Sequence, residues 1–174
     1  DLMTATSHLT GRRISRFCHL HRSAEDLVKK VKMQRLLGQK TGSCFQRCVG
    51  MDAINAVDSV TFEMDAKLGT GCHERFERFL GKMQEEDWTV DGAMTDPKGD
   101  RSLPPGRQAD PDLYTHAVKK TKEGIVVRGA KAHQTGALNS YWILVLPTMT
   151  MSAEHADYAL CFAAPADAEG IFYV

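Results

Sequence analysis

Two cysteines stand four residues apart in the stretch "TGSCFQRCVGMDAINAVDSVTFEMD", at Cys44 and Cys48. On a continuous helix that spacing puts both sulfurs on one face, close enough for two thiolates to ligate one metal ion or cluster. Two ligands do not make a site, because zinc and iron–sulfur centres take four protein ligands or keep an open position. The same spacing fits two small residues on a buried face, since cysteine outside disulfides is among the most buried residue types. Cys18, His19, His21 and Cys72 are possible further donors, although "CHLH" is too short a motif to indicate a site by itself.

Two other stretches carry chemistry of a different kind. "AMTDPKGDR", residues 93–101, leaves a β-rich run with Gly, Lys, Asp and Arg in a turn. Such a turn offers backbone N–H groups and cationic side chains to a phosphate or a flavin, and the same composition makes ordinary solvated loops. In "RGAKAHQTGALNS", residues 128–140, small residues surround His133, Gln134 and Thr135, so that a flat ring can approach the backbone closely.

The elements that must position these stretches follow from periodicity. "SAEDLVKKVKMQRLL" predicts a helix capped by Ser23, with Asp26 three residues on, apolar positions at Ala24, Leu27, Val28 and Val31, and an end at Gly38. A second helix is expected from about Ser43 into the Met64 region, because Cys44, Cys48, Met51, Val57 and Val60 recur at helical spacing and Gly69 and Gly71 mark the exit. It is apolar on more than one side and is expected to be buried. A third, about His73 to Glu86, places Phe76, Phe79, Leu80 and Met83 on one stripe. After Trp88 come "TVDGAMTD", "GIVVRGAKAH", "SYWILVLPTMTM", "YALCFAAP" and "GIFYV", short β-rich runs separated by turn formers. The Pro-rich stretch "PKGDRSLPPGRQADPDLY" between the first two reads as a long surface excursion. The fold class is therefore α+β, helices before strands, with the change of grammar at about residue 89.

Charge and composition narrow the function. The chain has 174 residues, with 22 basic and 22 acidic side chains, which gives no electrostatic footprint for nucleic acid or an anionic membrane surface. No run approaches the roughly 18 to 20 consecutive apolar residues of a membrane span, and "DLMTATSHLTGRR" lacks the apolar core of a secretory signal. Five unevenly spaced cysteines do not form a disulfide framework, and the chain reads as cytoplasmic. It starts without Met and stops inside "GIFYV", so it is expected to be a fragment.

Taken together and in this order, "SCFQRCVGMDAINAVDSVTFEMD", "GAMTDPKGDR", "EGIVVRGAKAHQTGALNS" and "LPTMTM" closely resemble the 4-hydroxybutyryl-CoA dehydratase family of flavin and iron–sulfur enzymes, across essentially the whole chain. The resemblance implies an acyl-CoA dehydrogenase-like architecture: an N-terminal helical domain (1–88), a middle β domain (89–174) and a C-terminal helical domain that this chain lacks. It implies Cys44 and Cys48 as two ligands of a [4Fe–4S] cluster. It places Met94, Thr95, Asp96, Lys98, Gly99, Asp100 and Arg101 on one side of FAD, and His133, Gln134 and Thr135 on the other. The other cluster ligands, a His and a Cys, and the catalytic base are expected beyond Val174. The implied activity is dehydration of 4-hydroxybutyryl-CoA to crotonyl-CoA by a flavin radical mechanism, with vinylacetyl-CoA isomerase activity, in a homotetramer acting on a CoA thioester. Two alternatives stand beside it: a flavin-dependent 4-hydroxyphenylacetate 3-monooxygenase, which shares the plan without the cluster, and a non-catalytic truncated paralogue. On the fragment reading the chain alone is expected to be inactive, with Met51, Val57, Phe76 and Phe79 short of packing surface.

Overall fold

The computed structural model describes residues 1–43 and 47–174. It opens on a hairpin that the sequence pattern did not announce, β1 (Thr4–Thr6) antiparallel to β2 (Arg13–Ser15). Three-residue strands are too short to show an alternation; buried polar groups hold them. Ser7 accepts the N–H groups of Leu9 and Thr10 and donates to Gln84 at 2.6 Å, and Gln84 donates onward to the Cys18 carbonyl. Arg16, only 3% exposed, donates to the carbonyls of Leu2 and Thr4.

Helix α1 (Ala24–Thr41) starts where its cap predicts: Ser23 Oγ accepts the Asp26 N–H, and the Asp26 carboxylate accepts the Arg22 N–H and the Ser23 hydroxyl. It does not stop at Gly38. A single interior glycine costs about 1 kcal/mol relative to alanine, which a long helix absorbs, and the true stop is Gly42 at φ 67°. The apolar positions of α1 are also not its buried face: Leu27, Val28 and Val31 are exposed, and Met33 is the residue it buries.

Helices α2 (Cys48–Leu68) and α3 (Cys72–Glu86) form a pair. Gly69 at φ 64° ends the first, and the Asp65 carboxylate accepts the N–H groups of Cys72 and His73, so the end of α2 caps the start of α3. The predicted stripe of α3 is in place, with Phe76, Leu80 and Met83 buried and Phe79 packed against them. Helix α2, expected to be apolar and buried on more than one side, buries only one: Met51, Ala53, Ile54 and Val57 are inside, whereas Val60, Phe62 and Leu68 are exposed. Met51, Val57 and Phe76 are thus packed within this chain, contrary to the expectation that they would lack a partner surface.

The strands form two sheets beyond the hairpin. β3 (Val90–Ala93) pairs in parallel with β6 (Trp142–Val145), which pairs antiparallel with β7 (Phe162–Pro165); β4 (His116–Lys120) and β5 (Ile125–Arg128) make a separate antiparallel ribbon. Strand β4 was not anticipated, because its "HAVKK" has too little apolar character. Residues 170–174, "GIFYV", are not a strand, and only 142–145 of the 140–151 run is one. One face of the three-stranded sheet packs on α2 and α3 through Val90 and Leu144, against Ile54, Leu80 and Met83. Burial of each such side chain is worth about 1.5–3 kcal/mol. The other face is lined by Ala93, Ala137, Ile143 and Val145.

Helix α2 meets β3 backbone to backbone. A Cβ on Gly50 would lie 1.8 Å from the Val90 carbonyl oxygen, and one on Gly92 would lie 2.5 Å from Val49 Cγ1. The element that begins at Cys48 therefore lies directly against the strand that leads into Met94.

Candidate functional site

Because β3 and β6 are parallel, their C-terminal ends emerge side by side, and the residues that follow them are drawn together by a lysine. Lys131 Nζ donates to the Met94 carbonyl at 3.0 Å, to the Leu146 carbonyl at 3.0 Å and to Asp96 Oδ1 at 2.5 Å. Thr148 Oγ1 donates its one proton to Asp96 Oδ2 and lies 2.9 Å from the Met94 carbonyl oxygen. The Ala132 N–H donates to the Thr95 carbonyl at 2.8 Å. Lys131 and Asp96 are 10% and 14% exposed at the side chain. Residues 94–96, 131–132 and 146–148, far apart in sequence, thus meet at one place.

The stretch 97–114 is more than a surface excursion. Gln108, buried, donates to the carbonyls of Asp100 and Leu103 and accepts the Asp100 N–H. Gly99 sits inside this knot: a Cβ there would come within 2.5–2.7 Å of Gln108 Oε1, Leu113 Cδ2 and Tyr114 Oη. Asp100 accepts from the Ser102 hydroxyl and N–H, and those bonds hold its carboxyl below the usual range. Met94, Thr95, Lys98 and Arg101 are exposed, so two cations and a turn face solvent beside a fixed backbone.

In the segment after Lys131, His133 adopts φ 61°, a left-handed conformation uncommon for a residue with a Cβ. Such backbone strain concentrates at functional sites. His133 and Thr135 are exposed, whereas Gln134 turns back and donates to the Ala132 carbonyl.

Of the paired thiols, Cys48 is half-buried and opens α2. Its N-cap, Arg47, provides no side-chain cap, and no acidic residue lies in the first turn, so the positive end of the helix dipole favours an anionic ligand there. Arg47 is itself anchored, donating to Asp87 at 3.0 Å and lying 4.4 Å from the centre of the Phe17 ring. The helix expected from about Ser43 begins only at Cys48. Cys44, with Phe45 and Gln46, lies outside the described residues.

Of the other candidate donors, Cys18 and Cys72 are engaged otherwise. Cys18 is fully buried, and burial, followed by the neighbouring Asp87 carboxylate, pushes its thiol up to about 12. It is a proton donor to Asp87 at 3.5 Å, not a thiolate. Burial lowers the basicity of His19 and His21, and Cys72 Sγ accepts from Arg75. Among the described residues no three His, Cys, Asp or Glu side chains are grouped so as to hold a metal ion, and no helix is long and apolar enough to cross a membrane.

Lys131, Thr148 and Gln108 were not singled out from the sequence. "LPTMTM" contains Thr148, and Lys131 precedes "AHQT", but nothing local tells that one lysine joins two strand ends.

The chain is 60% identical over all 174 residues to the 4-hydroxybutyryl-CoA dehydratase/vinylacetyl-CoA-Δ-isomerase of Clostridium aminobutyricum, spanning 36% of that protein. It is 29% identical over 153 residues, 88% of its length, to the oxygenase component of 4-hydroxyphenylacetate 3-monooxygenase of Thermus thermophilus, spanning 31% of that protein. Among solved structures it matches an oxygen-tolerant archaeal 4-hydroxybutyryl-CoA dehydratase from N. maritimus with a TM-score of 0.95 and 54% identity, over 97% of this chain and 34% of that one. It also matches a 4-hydroxyphenylacetate 3-monooxygenase oxygenase component complexed with FAD, with a TM-score of 0.75 and 26% identity, over 97% and 34%. The chain thus spans about a third of the length of the curated relatives it matches. The sequence profile described as 4-hydroxyphenylacetate 3-hydroxylase, N terminal, matches residues 1–174, and the chain belongs to that family.

Proposed function

We propose that the protein of which this chain is a part dehydrates 4-hydroxybutyryl-CoA to crotonyl-CoA, isomerises vinylacetyl-CoA, and binds FAD and a [4Fe–4S] cluster. The observation that carries the reading is the 60% identity over the whole chain, which takes in both Cys44 and Cys48 and the loops that converge at Lys131. The residues present offer donors for FAD and part of a ligand set for the cluster. For FAD they offer Met94, Thr95, Asp96, Lys98, Gly99, Asp100 and Arg101 on one wall and His133, Gln134 and Thr135 on the other. The strained backbone of His133 is a feature that concentrates at binding sites. For the cluster they offer Cys48 in the first turn of α2, with Cys44 as its proposed partner and the remaining ligands from outside this chain.

When bound, FAD supplies one-electron chemistry and the cluster a Lewis acid for a departing hydroxyl. The chain's own residues bind and orient. The exposed Lys98 and Arg101 present cations to phosphate charge. Thr135 presents a hydroxyl to the flavin edge, and the Gly50–Val90 contact holds the cysteine helix against the strand feeding the flavin loop. The wider reading is an acyl-CoA dehydrogenase-like subunit, with residues 1–88 in its helical domain and 89–174 in its middle β domain. It acts in the cytoplasm as a homotetramer, without nucleic acid or membrane partners.

Flavin-dependent aromatic hydroxylation is the second reading, favoured by the family profile and the 29% relative. The cysteine pair separates the two. The intact protein, purified without oxygen, is expected to contain four irons and one FAD per subunit in the first case, and FAD without iron in the second.

A further inference from the structure

We propose that Lys131 is a positioning residue for the flavin site, acting through Asp96 and not by touching the cofactor; this rests on the flavin reading above. An ammonium has three protons to donate. Here the Met94 carbonyl, the Leu146 carbonyl and Asp96 Oδ1 offer it three acceptors at 3.0, 3.0 and 2.5 Å, which use all three. Nothing is left for a ligand. The Asp96 carboxylate is likewise engaged at both oxygens, by Lys131 and by Thr148, so the contact of Asp96 with FAD falls to its backbone.

What the lysine fixes is the gap between two walls. Asp96 begins the turn that carries Lys98 to Arg101, and Ala132, next to Lys131, binds the Thr95 carbonyl and starts the segment carrying His133 to Thr135. One side chain therefore ties the root of each wall to the adjacent ends of β3 and β6, where Met94 and Leu146 leave the parallel pair. Its charge is sheltered from solvent, so losing it leaves Asp96 and two strand-end carbonyls short of a donor. The two walls then lose a common reference.

The test compares wild type, Lys131→Met and Thr148→Val as intact proteins, measuring FAD dissociation constant, flavin midpoint potential, iron content and near-ultraviolet circular dichroism. Lys131→Met is expected to weaken FAD by about tenfold or more, the scale of losing a group that orients a ligand's contacts, and to move the midpoint potential. Iron should remain at the wild-type level. Thr148→Val is expected to move both flavin readouts in the same direction by less. A Lys131→Met protein that folds as wild type does, with affinity and potential unchanged, overturns the inference, even if its melting temperature falls. If Lys131→Met does not fold, unchanged flavin readouts in Thr148→Val overturn it instead. Wild-type protein that takes up no FAD overturns the flavin reading itself, a different result from wild type that binds FAD and variants that bind it equally well.

Discussion

Cys48 and Cys18 have the same side chain in opposite electrostatic settings. Cys48 stands in the first turn of a helix beside Arg47, where the helix dipole favours negative charge, and Cys18 is enclosed beside Asp87, where it is not favoured. In the intact protein Cys48→Ser is therefore expected to lose the iron while keeping FAD; iron per subunit equal to wild type would remove Cys48 from the ligand set. For Cys18 the sign follows from a thiol at about 12 in the fold against 9.0 as the ordinary value. The protonated form is the one the fold prefers, so the contribution is complete below pH 9 and is lost as pH rises from 9 toward 12. Urea midpoints of wild type should fall more steeply over that range than those of Cys18→Ala; parallel curves would contradict the assignment. Motif residues were legible in the sequence because their signal is local: the CxxxC spacing, the Gly-Asp-Arg turn, the "HQTG" run. Lys131 and Thr148 were not, because their shared target, Asp96, lies 35 and 52 residues away and becomes a neighbour only when β3 pairs with β6.

At the scale of elements, the helices could be read from their caps: Ser23 starts α1 and Gly69 ends α2, each by a backbone mechanism that depends on few residues. Their buried faces were harder to read. Periodicity identifies an apolar stripe on α1 without saying what covers it, and Leu27, Val28 and Val31 pack against nothing that buries them in this chain. The α2–β3 contact was also invisible, since only the paired structure shows why Gly50 has no side chain. Gly50→Ala puts a methyl 1.8 Å from the Val90 oxygen, so the helix must move away from the strand. A loss of about 1–3 kcal/mol or more is expected in chemical denaturation; a neutral result would mean the contact is not tight. Gly99→Ala collides with Gln108, Leu113 and Tyr114 instead, and is expected to loosen the 97–114 knot and weaken FAD while leaving iron alone. Wild-type FAD affinity in that variant would dissociate the knot from the cofactor.

For the whole molecule, the donor geometry limits what 174 residues do alone. A [4Fe–4S] cluster takes four protein ligands, and the described residues group no three metal-binding side chains. Anaerobic reconstitution of this chain with iron, sulfide and FAD is expected to give no stable cluster; four irons retained through gel filtration would place the missing ligands within it. The proposed reaction belongs to the intact protein. Its most direct test is anaerobic incubation of the intact, iron- and FAD-loaded protein with 4-hydroxybutyryl-CoA, following product by chromatography. Crotonyl-CoA formed with no added oxidant or reductant is the predicted result. Absence of crotonyl-CoA, with hydroxylation of 4-hydroxyphenylacetate by the same preparation when reduced flavin and oxygen are supplied, would contradict it.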